Sequence, residues 1–233
     1  DTDSKFVCTI PSYRNDLERE IDLYEEVARV FGYDNIPISN SFNNSYSTII
    51  EDSEHIKDQI KNMCCSRGFY EHYSNSLYSD KVLNDFNPFK TSEIINESSQ
   101  DMKYMRNSLL PGLLKAVSFN EKRGQDYFKL FEIGRTHSLI KSYNKEENSM
   151  GFIWYGENKE HWNSKFIADI FYAKGEILSL LKQLKVIDIH FKVEKSDFCK
   201  TNINIYSKKT CIGFLRLLDS KLKEKYDIKG PIV

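Results

Sequence analysis

The 233-residue sequence predicts an α+β fold built on a mixed or mainly antiparallel sheet flanked by helices. Three observations carry that expectation. Strand-like and helix-like segments alternate at irregular intervals rather than in a regular βαβ series. The second half is crowded with short, aromatic-rich strand candidates. The stretch ISNSFNNSYS, residues 38–47, has no sustained periodicity and reads as a boundary. It separates a small helical piece, residues 1–40, from a large body, residues 49–233, with a linker at 41–48.

KFVCTI, residues 5–10, reads as a short strand stopped by Pro11. Leu17, Ile21, Tyr24, Ala28 and Phe31 recur at helical spacing, so Leu17–Phe31 is expected to be helical, capped by Asp16 and ended by Gly32. A second helix is expected from about Ile49 to Arg67, with Ile56, Ile60 and Met63 on one face and Gly68 as its stop. Phe69–Tyr78 reads as one strand, Asp80–Phe86 as a short helix and Glu93–Asn96 as a short strand. Ser108 and Pro111 mark the start of a helix over Leu109–Glu121, burying Leu110, Leu113, Leu114 and Val117. In Tyr127–Ile133, Phe128, Leu130 and Glu132 alternate with Lys129, Phe131 and Ile133, as in a strand. Gly151–Tyr155 follows as another. Phe166–Leu184 reads as a long helix interrupted by Gly175. Strands at about 186–193, 202–206 and 210–218, a charged helix Lys221–Tyr226, and the opening of a further strand at GPIV complete the chain.

Hydrophobic residues make up 40% and charged residues 29%, with a net charge of −1, ordinary values for a globular protein. A dedicated nucleic-acid binder would be more basic. The charge is uneven, however: residues 1–60 carry 13 acidic and 5 basic side chains, and residues 200–229 carry 8 basic and 3 acidic. Cys8, Cys64, Cys65, Cys199 and Cys211 form no Cys-x-x-Cys pair and are read as reduced thiols of a cytoplasmic protein. No apolar run approaches a membrane span, so no membrane partner is expected. The polar start without an initiator Met reads as that of a piece of something longer.

Asp22, Glu25 and Glu26 are spaced i, i+3, i+4 and share one helix face, with Asp16 just before it. Such a set is either a solvated acidic face or a site for a hard divalent cation such as magnesium. Lys208, Lys209, Lys221, Lys223, Lys225 and Lys229 are an ordinary basic surface or a phosphate contact. His55, His72, His137, His161 and His190 show neither metal-ligand nor catalytic-dyad spacing, and Trp154 and Trp162 read as core or interface residues. No Walker-type loop and no G-x-G-x-x-G occurs, so no catalytic residue is assigned.

Pro11–Pro37, PSYRNDLEREIDLYEEVARVFGYDNIP, and Met105–Arg135, MRNSLLPGLLKAVSFNEKRGQDYFKLFEIGR, resemble the beta subunit of bacterial-type phenylalanine–tRNA ligases. GFYEHYSNSLY at Gly68–Tyr78 and AKGE at Ala173–Glu176 are similar too, while Asn96-Glu97 stands where the family often has Asn-Pro. The resemblance implies the end of a small domain followed by most of a catalytic-like module with the antiparallel sheet of class II aminoacyl-tRNA synthetases. It implies a magnesium site at Asp16, Asp22, Glu25 and Glu26, shared with the alpha subunit. It implies a heterotetramer of two alpha and two beta subunits that charges tRNA with phenylalanine, with ATP bound by the alpha subunit. The family's editing and anticodon-contacting parts are expected to lie outside this chain. Arg123 and Arg135 flank the strand YFKLFEIG without a recognisable phosphate-binding set, so this piece is expected to be a non-catalytic scaffold. The alternatives are a self-sufficient class II ligase-like enzyme and a nucleic-acid-binding module.

Overall fold

A computed structural model describes residues 6–39, 41, 53–83, 85–86, 90–141, 143–158, 166–167, 169–195 and 199–233. The linker at 41–48 and the first residues expected of the second helix therefore fall almost wholly outside the described residues, as do His161 and Trp162. The chain divides into two compact units, Asp1–Glu51 and Asp52–Val233.

In the first unit, Phe6–Ile10 is irregular rather than a strand. Helix α1 spans Glu20–Phe31 and begins three residues later than the apolar periodicity suggests. The reason is local. The Asp22 carboxylate accepts from the backbone N–H groups of Glu18 (3.1 Å) and Arg19 (2.8 Å), which pins the start there. Gly32, with φ +92°, closes the helix. No residue of α1 is buried, and Ile21, Tyr24 and Phe31 of its apolar stripe are exposed.

The second unit is organised by one long hairpin. Strands β4 (Tyr127–Ile140) and β5 (Tyr143–Asn158) pair antiparallel along their whole length, far beyond the heptapeptide and pentapeptide expected. Strand β1 (Phe69–Glu71) adds to β4 in parallel, and β6 (Phe166–Ile167) adds to β5 antiparallel, giving the order β1-β4-β5-β6. Phe69–Tyr78 is thus not one strand. Leu77–Tyr78 (β2) pairs instead with Tyr104–Met105 (β3) in a separate two-stranded sheet. Glu93 makes only an isolated bridge, to Tyr104. Helix α2 (Ser53–Ser66) leads into β1, a single turn α3 covers Asp80–Leu83, and α4 spans Leu110–Glu121.

Because side chains alternate across a strand, the hairpin feeds two cores. Phe128, Leu130, Ile153 and Tyr155 face Leu109, Leu113, Leu114 and Val117 around α4, joined by Tyr226, Ile228 and Ile232. Phe131 and Trp154 point the other way, against Phe69, Cys64 and helix α5 (Ile170–Gln183). Asp169 caps α5 by accepting from the N–H groups of Phe171 (2.9 Å) and Tyr172 (2.8 Å). That cap starts the helix after Phe166–Ile167, and Gly175 does not interrupt it.

A three-stranded antiparallel sheet, β7 (Ile189–Glu194), β8 (Thr201–Ser207) and β9 (Thr210–Leu217), packs its apolar side on α5. A short helix α6 (Ser220–Lys225) precedes the final segment. There the Glu121 carboxylate receives the N–H groups of Lys229 (3.0 Å) and Gly230 (2.9 Å), and Val233 exchanges two backbone hydrogen bonds with Trp154. Within GPIV, Ile232 makes an isolated antiparallel bridge to Tyr155 on the second edge of β5.

Candidate functional site

The four acids expected to hold a metal do not meet at one point. Arg14 gathers two of them: its Nη2 lies 2.7 Å from Asp16 Oδ2 and 2.6 Å from Glu26 Oε1. Arg29 adds a second cation to Glu26. Hydrogen bonds from Arg14 hold the Asp16 carboxyl down to about 2, and those from Arg14 and then Arg29 do the same for Glu26. Asp22 is turned back on the helix start, and its pKa is lowered chiefly by the Arg19 N–H and next by that of Glu18. Glu25 is exposed and has no partner among the described residues. Among those residues no group of three or more His, Cys, Asp or Glu side chains is placed to hold a metal. Asp16 and Glu26 fit a cation, since they already converge on one. Asp22 and Glu25 as placed do not.

The hairpin carries a buried ionic site that the alternation of β4 only half announces. Glu132 lies in phase with Phe128 and Leu130, yet it is a carboxylate with no exposure at all. Its partner is Arg106, 4% exposed, with Nη1 2.6 Å from Glu132 Oε1. Ser74 completes the shell, donating its hydroxyl (2.8 Å to Oε2) and its backbone N–H (3.2 Å) to Glu132. Arg106 also donates Nε to the Arg135 carbonyl at 2.9 Å. The guanidinium runs so close to Gly134 that any side chain there would collide with it. A lone acid on the apolar phase of a strand was the available signal; the arginine, 26 residues away, had none.

The other cations are engaged in ordinary ways. Arg123 lies over the Phe119 ring, 3.3 Å from its centroid, and Arg135 pairs across the hairpin with Glu146 at 2.9 Å. Lys225 is taken up by Asp85 (2.6 Å), and Lys223 donates to the Lys229 carbonyl. Lys208 and Lys209 stand exposed at the β8–β9 turn. Of the described histidines only His137 is buried. All five cysteines are free thiols. Among the described residues no helix is long and apolar enough to cross a membrane.

The sheet face beneath α4 is closed by side chains. Open space gathers instead along the second edge of β5, in a groove of about 750 Å³. Leu110 of α4, Phe152 and Trp154 of β5, Leu184 of α5 and Phe214 of β9 line it.

This antiparallel hairpin, with its helices, has the fold of a class II synthetase. The chain is similar to the pyrrolysyl-tRNA synthetase of Desulfitobacterium hafniense, with a TM-score of 0.61 at 14% identity over 76% of this chain and 63% of that one. The family described as the phenylalanyl tRNA synthetase beta chain CLM domain matches residues 40–233, and the tRNA synthetase B5 domain matches residues 1–33. The chain belongs to the phenylalanyl-tRNA synthetase beta chain family. It is 28% identical, over its full length, to the phenylalanine–tRNA ligase beta subunit of Legionella pneumophila, and 30% identical over 96% of its length to that of Photorhabdus laumondii. It spans about 30% of the length of these relatives.

Proposed function

We propose that this chain is a non-catalytic part of a phenylalanine–tRNA ligase beta subunit, a scaffold for an active site carried by the alpha subunit in a cytoplasmic heterotetramer. The observation that carries the reading is the match of both domain families along nearly the whole chain. Packing supports the non-catalytic half of it. Leu113, Leu114, Ile153 and Tyr155 fill the face beneath α4, and the two arginines flanking β4 are occupied by Phe119 and Glu146. A site for ATP phosphates needs cations free to face developing negative charge. ATP and phenylalanine are accordingly assigned to the alpha subunit, and tRNA to the assembled enzyme. The test is co-expression with an alpha subunit, with pyrophosphate exchange measured on each preparation. Co-purification of the two, and exchange that needs the alpha subunit, are expected. Exchange by this chain alone, dependent on ATP and phenylalanine, would establish a self-sufficient ligase instead.

Magnesium belongs to the same proposal. Asp16 and Glu26 would hold it in place of the Arg14 guanidinium, and Asp22 and Glu25 would turn inward only when a partner closes over them. When bound, the ion supplies positive charge that relieves repulsion among crowded carboxylates. Asp22→Asn with Glu26→Gln in the assembled enzyme is expected to abolish the magnesium dependence of subunit association in sedimentation. Association that keeps its magnesium response would show these acids to be a solvated helix face.

A further inference from the structure

Strand β7 is the edge of the sheet β7-β8-β9. It pairs with β8 on one side, and among the described residues no strand pairs with the other. In an antiparallel pair each strand aims alternate backbone N–H and C=O groups away from its neighbour, so part of the backbone of Ile189–Glu194 points off the edge. Folded proteins blunt such an edge with a proline, a bulge or a row of like charges. IHFKVE has no proline, its register with β8 is unbroken from Ile189 to Glu194, and its two full charges are opposite in sign. Ile189 and Phe191 pack into the core with α5, while Val193, next in the same phase, is 73% exposed. The apolar row thus runs out of the core and ends at the surface. On the other face Lys192 lies 2.9 Å from Glu194 and remains largely exposed.

We propose that this edge is a self-association surface, and that its partner is β7 of a second copy of this chain, antiparallel about a two-fold axis at Val193. Charge selects the register. A two-fold axis normal to the sheet keeps the two faces aligned, so outward residues must meet outward ones. An axis at Lys192 sets that cation against its own copy, and an axis at Phe191 sets it against His190. An axis at His190 brings Asp188 into the pairing, but its φ of +52° takes it out of the extended strand. Only the axis at Val193 places Lys192 opposite Glu194 of the second copy, and does so twice. Apolar contact agrees with that register. Two exposed valines meet at the axis, and Phe191 stands opposite Lys195 of the second copy, whose aliphatic stem can cover the ring. The strand is also held in place before it associates. Glu194 accepts from Asn204 Nδ2 (2.7 Å) and from the Tyr206 hydroxyl (3.2 Å), so its carboxylate is fixed. Lys192 of the second copy can therefore take the position of the chain's own Lys192 with no carboxylate left unpaired. A single strand pair is a small interface, so the dimer is weak and reversible.

The surface involves no alpha subunit, so its failure leaves the subunit reading untouched, and co-purification tests that reading separately. The experiment is sedimentation velocity of the 233-residue protein from about 5 to about 500 μM. A reversible monomer–dimer equilibrium is expected. Lys192→Glu and Glu194→Lys are each expected to raise the dissociation constant at least ~tenfold, since like charges then face each other twice. An equimolar mixture of the two variants is expected to associate within ~threefold of the unsubstituted protein, because every opposed pair in the mixed dimer is again of opposite sign. Val193→Cys gives an independent reading of the axis. On mild oxidation it is expected to yield a dimer whose linkage maps to position 193 in both chains, whereas Lys192→Cys is expected to yield no linkage between the two substituted positions. A monomer throughout the concentration range, a mixture that associates no better than either variant alone, or linkage at 192 as readily as at 193 would overturn the proposal.

Discussion

A carboxylate with no exposed surface must be neutralised where it sits, and Glu132 is neutralised by one guanidinium and hydrogen-bonded by one serine. Removing one partner of such a pair strands the other charge. Glu132→Gln is therefore expected to destabilise the second unit by ~3–5 kcal/mol in urea denaturation, whereas Glu132→Leu combined with Arg106→Met should recover most of that loss. An additive double variant would mean the two residues are not coupled. The acids of the first unit lie at the opposite extreme, on the surface and held by exposed arginines. Asp16 and Glu26 titrate in the folded chain near 2, below their unfolded values of about 4. Their contribution is complete above about pH 4 and disappears as pH falls towards 2. Carboxyl NMR is expected to show both midpoints near 2, and Arg14→Ala to move both upward, Asp16 further because Arg29 remains beside Glu26. The sequence made the acids conspicuous but not their partners. Helical spacing shows which side chains share a face, and says nothing about which arginine turns toward them.

Elements were legible where a local signal existed and illegible where a distant contact decided the outcome. The helix from Leu110 announces itself by Pro111, and the three strands of β7-β8-β9 fall close to the apolar runs expected of them, whereas the helix expected from Phe166 starts only at Ile170, after the Asp169 cap. The aromatic run from Phe69 looked continuous. It splits because Ser74 turns in to reach Glu132 and Ser76 gives its carbonyl to the Arg106 N–H, contacts with residues some thirty to sixty positions away. Glycines show the same divide. Gly175 suggested a break, yet α5 runs through it and a methyl group there would meet nothing within 4 Å. Gly175→Ala is expected to stabilise the fold by about 0.5–1 kcal/mol in thermal or urea unfolding. Gly156 carried no warning, but its φ of +88° and its seat against the Asp126 carbonyl leave no room for a Cβ. Gly156→Ala is expected to cost more than ~2 kcal/mol, because a strained dihedral and a backbone clash add. Equal effects at the two sites would contradict the packing described.

At the scale of the molecule, the two units differ in what holds them. Among the described residues, every member of both hydrophobic cores, including the partly buried ones packed against them, lies at Ile60 or later. The Asp1–Glu51 unit, by contrast, contributes a helix without a buried residue, closed by arginine–carboxylate contacts on its surface. Exposed ion pairs are screened by water and contribute little, so the described contacts of this unit offer little resistance to opening. Its amides in α1 are expected to exchange with solvent far faster than those of the β4–β5 ladder around Phe128–Glu132 and Ile153–Tyr155, where the side chains are buried. The same division predicts the outcome of truncation. A chain of residues 52–233 retains both cores, the Arg106–Glu132 pair and all three sheets. Its thermal midpoint is expected to fall by less than ~2 °C, the effect of roughly half to one kcal/mol in a domain of this size. A loss of more than ~5 °C, or of a single cooperative transition, would mean that the two cores do not account for the stability of residues 52–233.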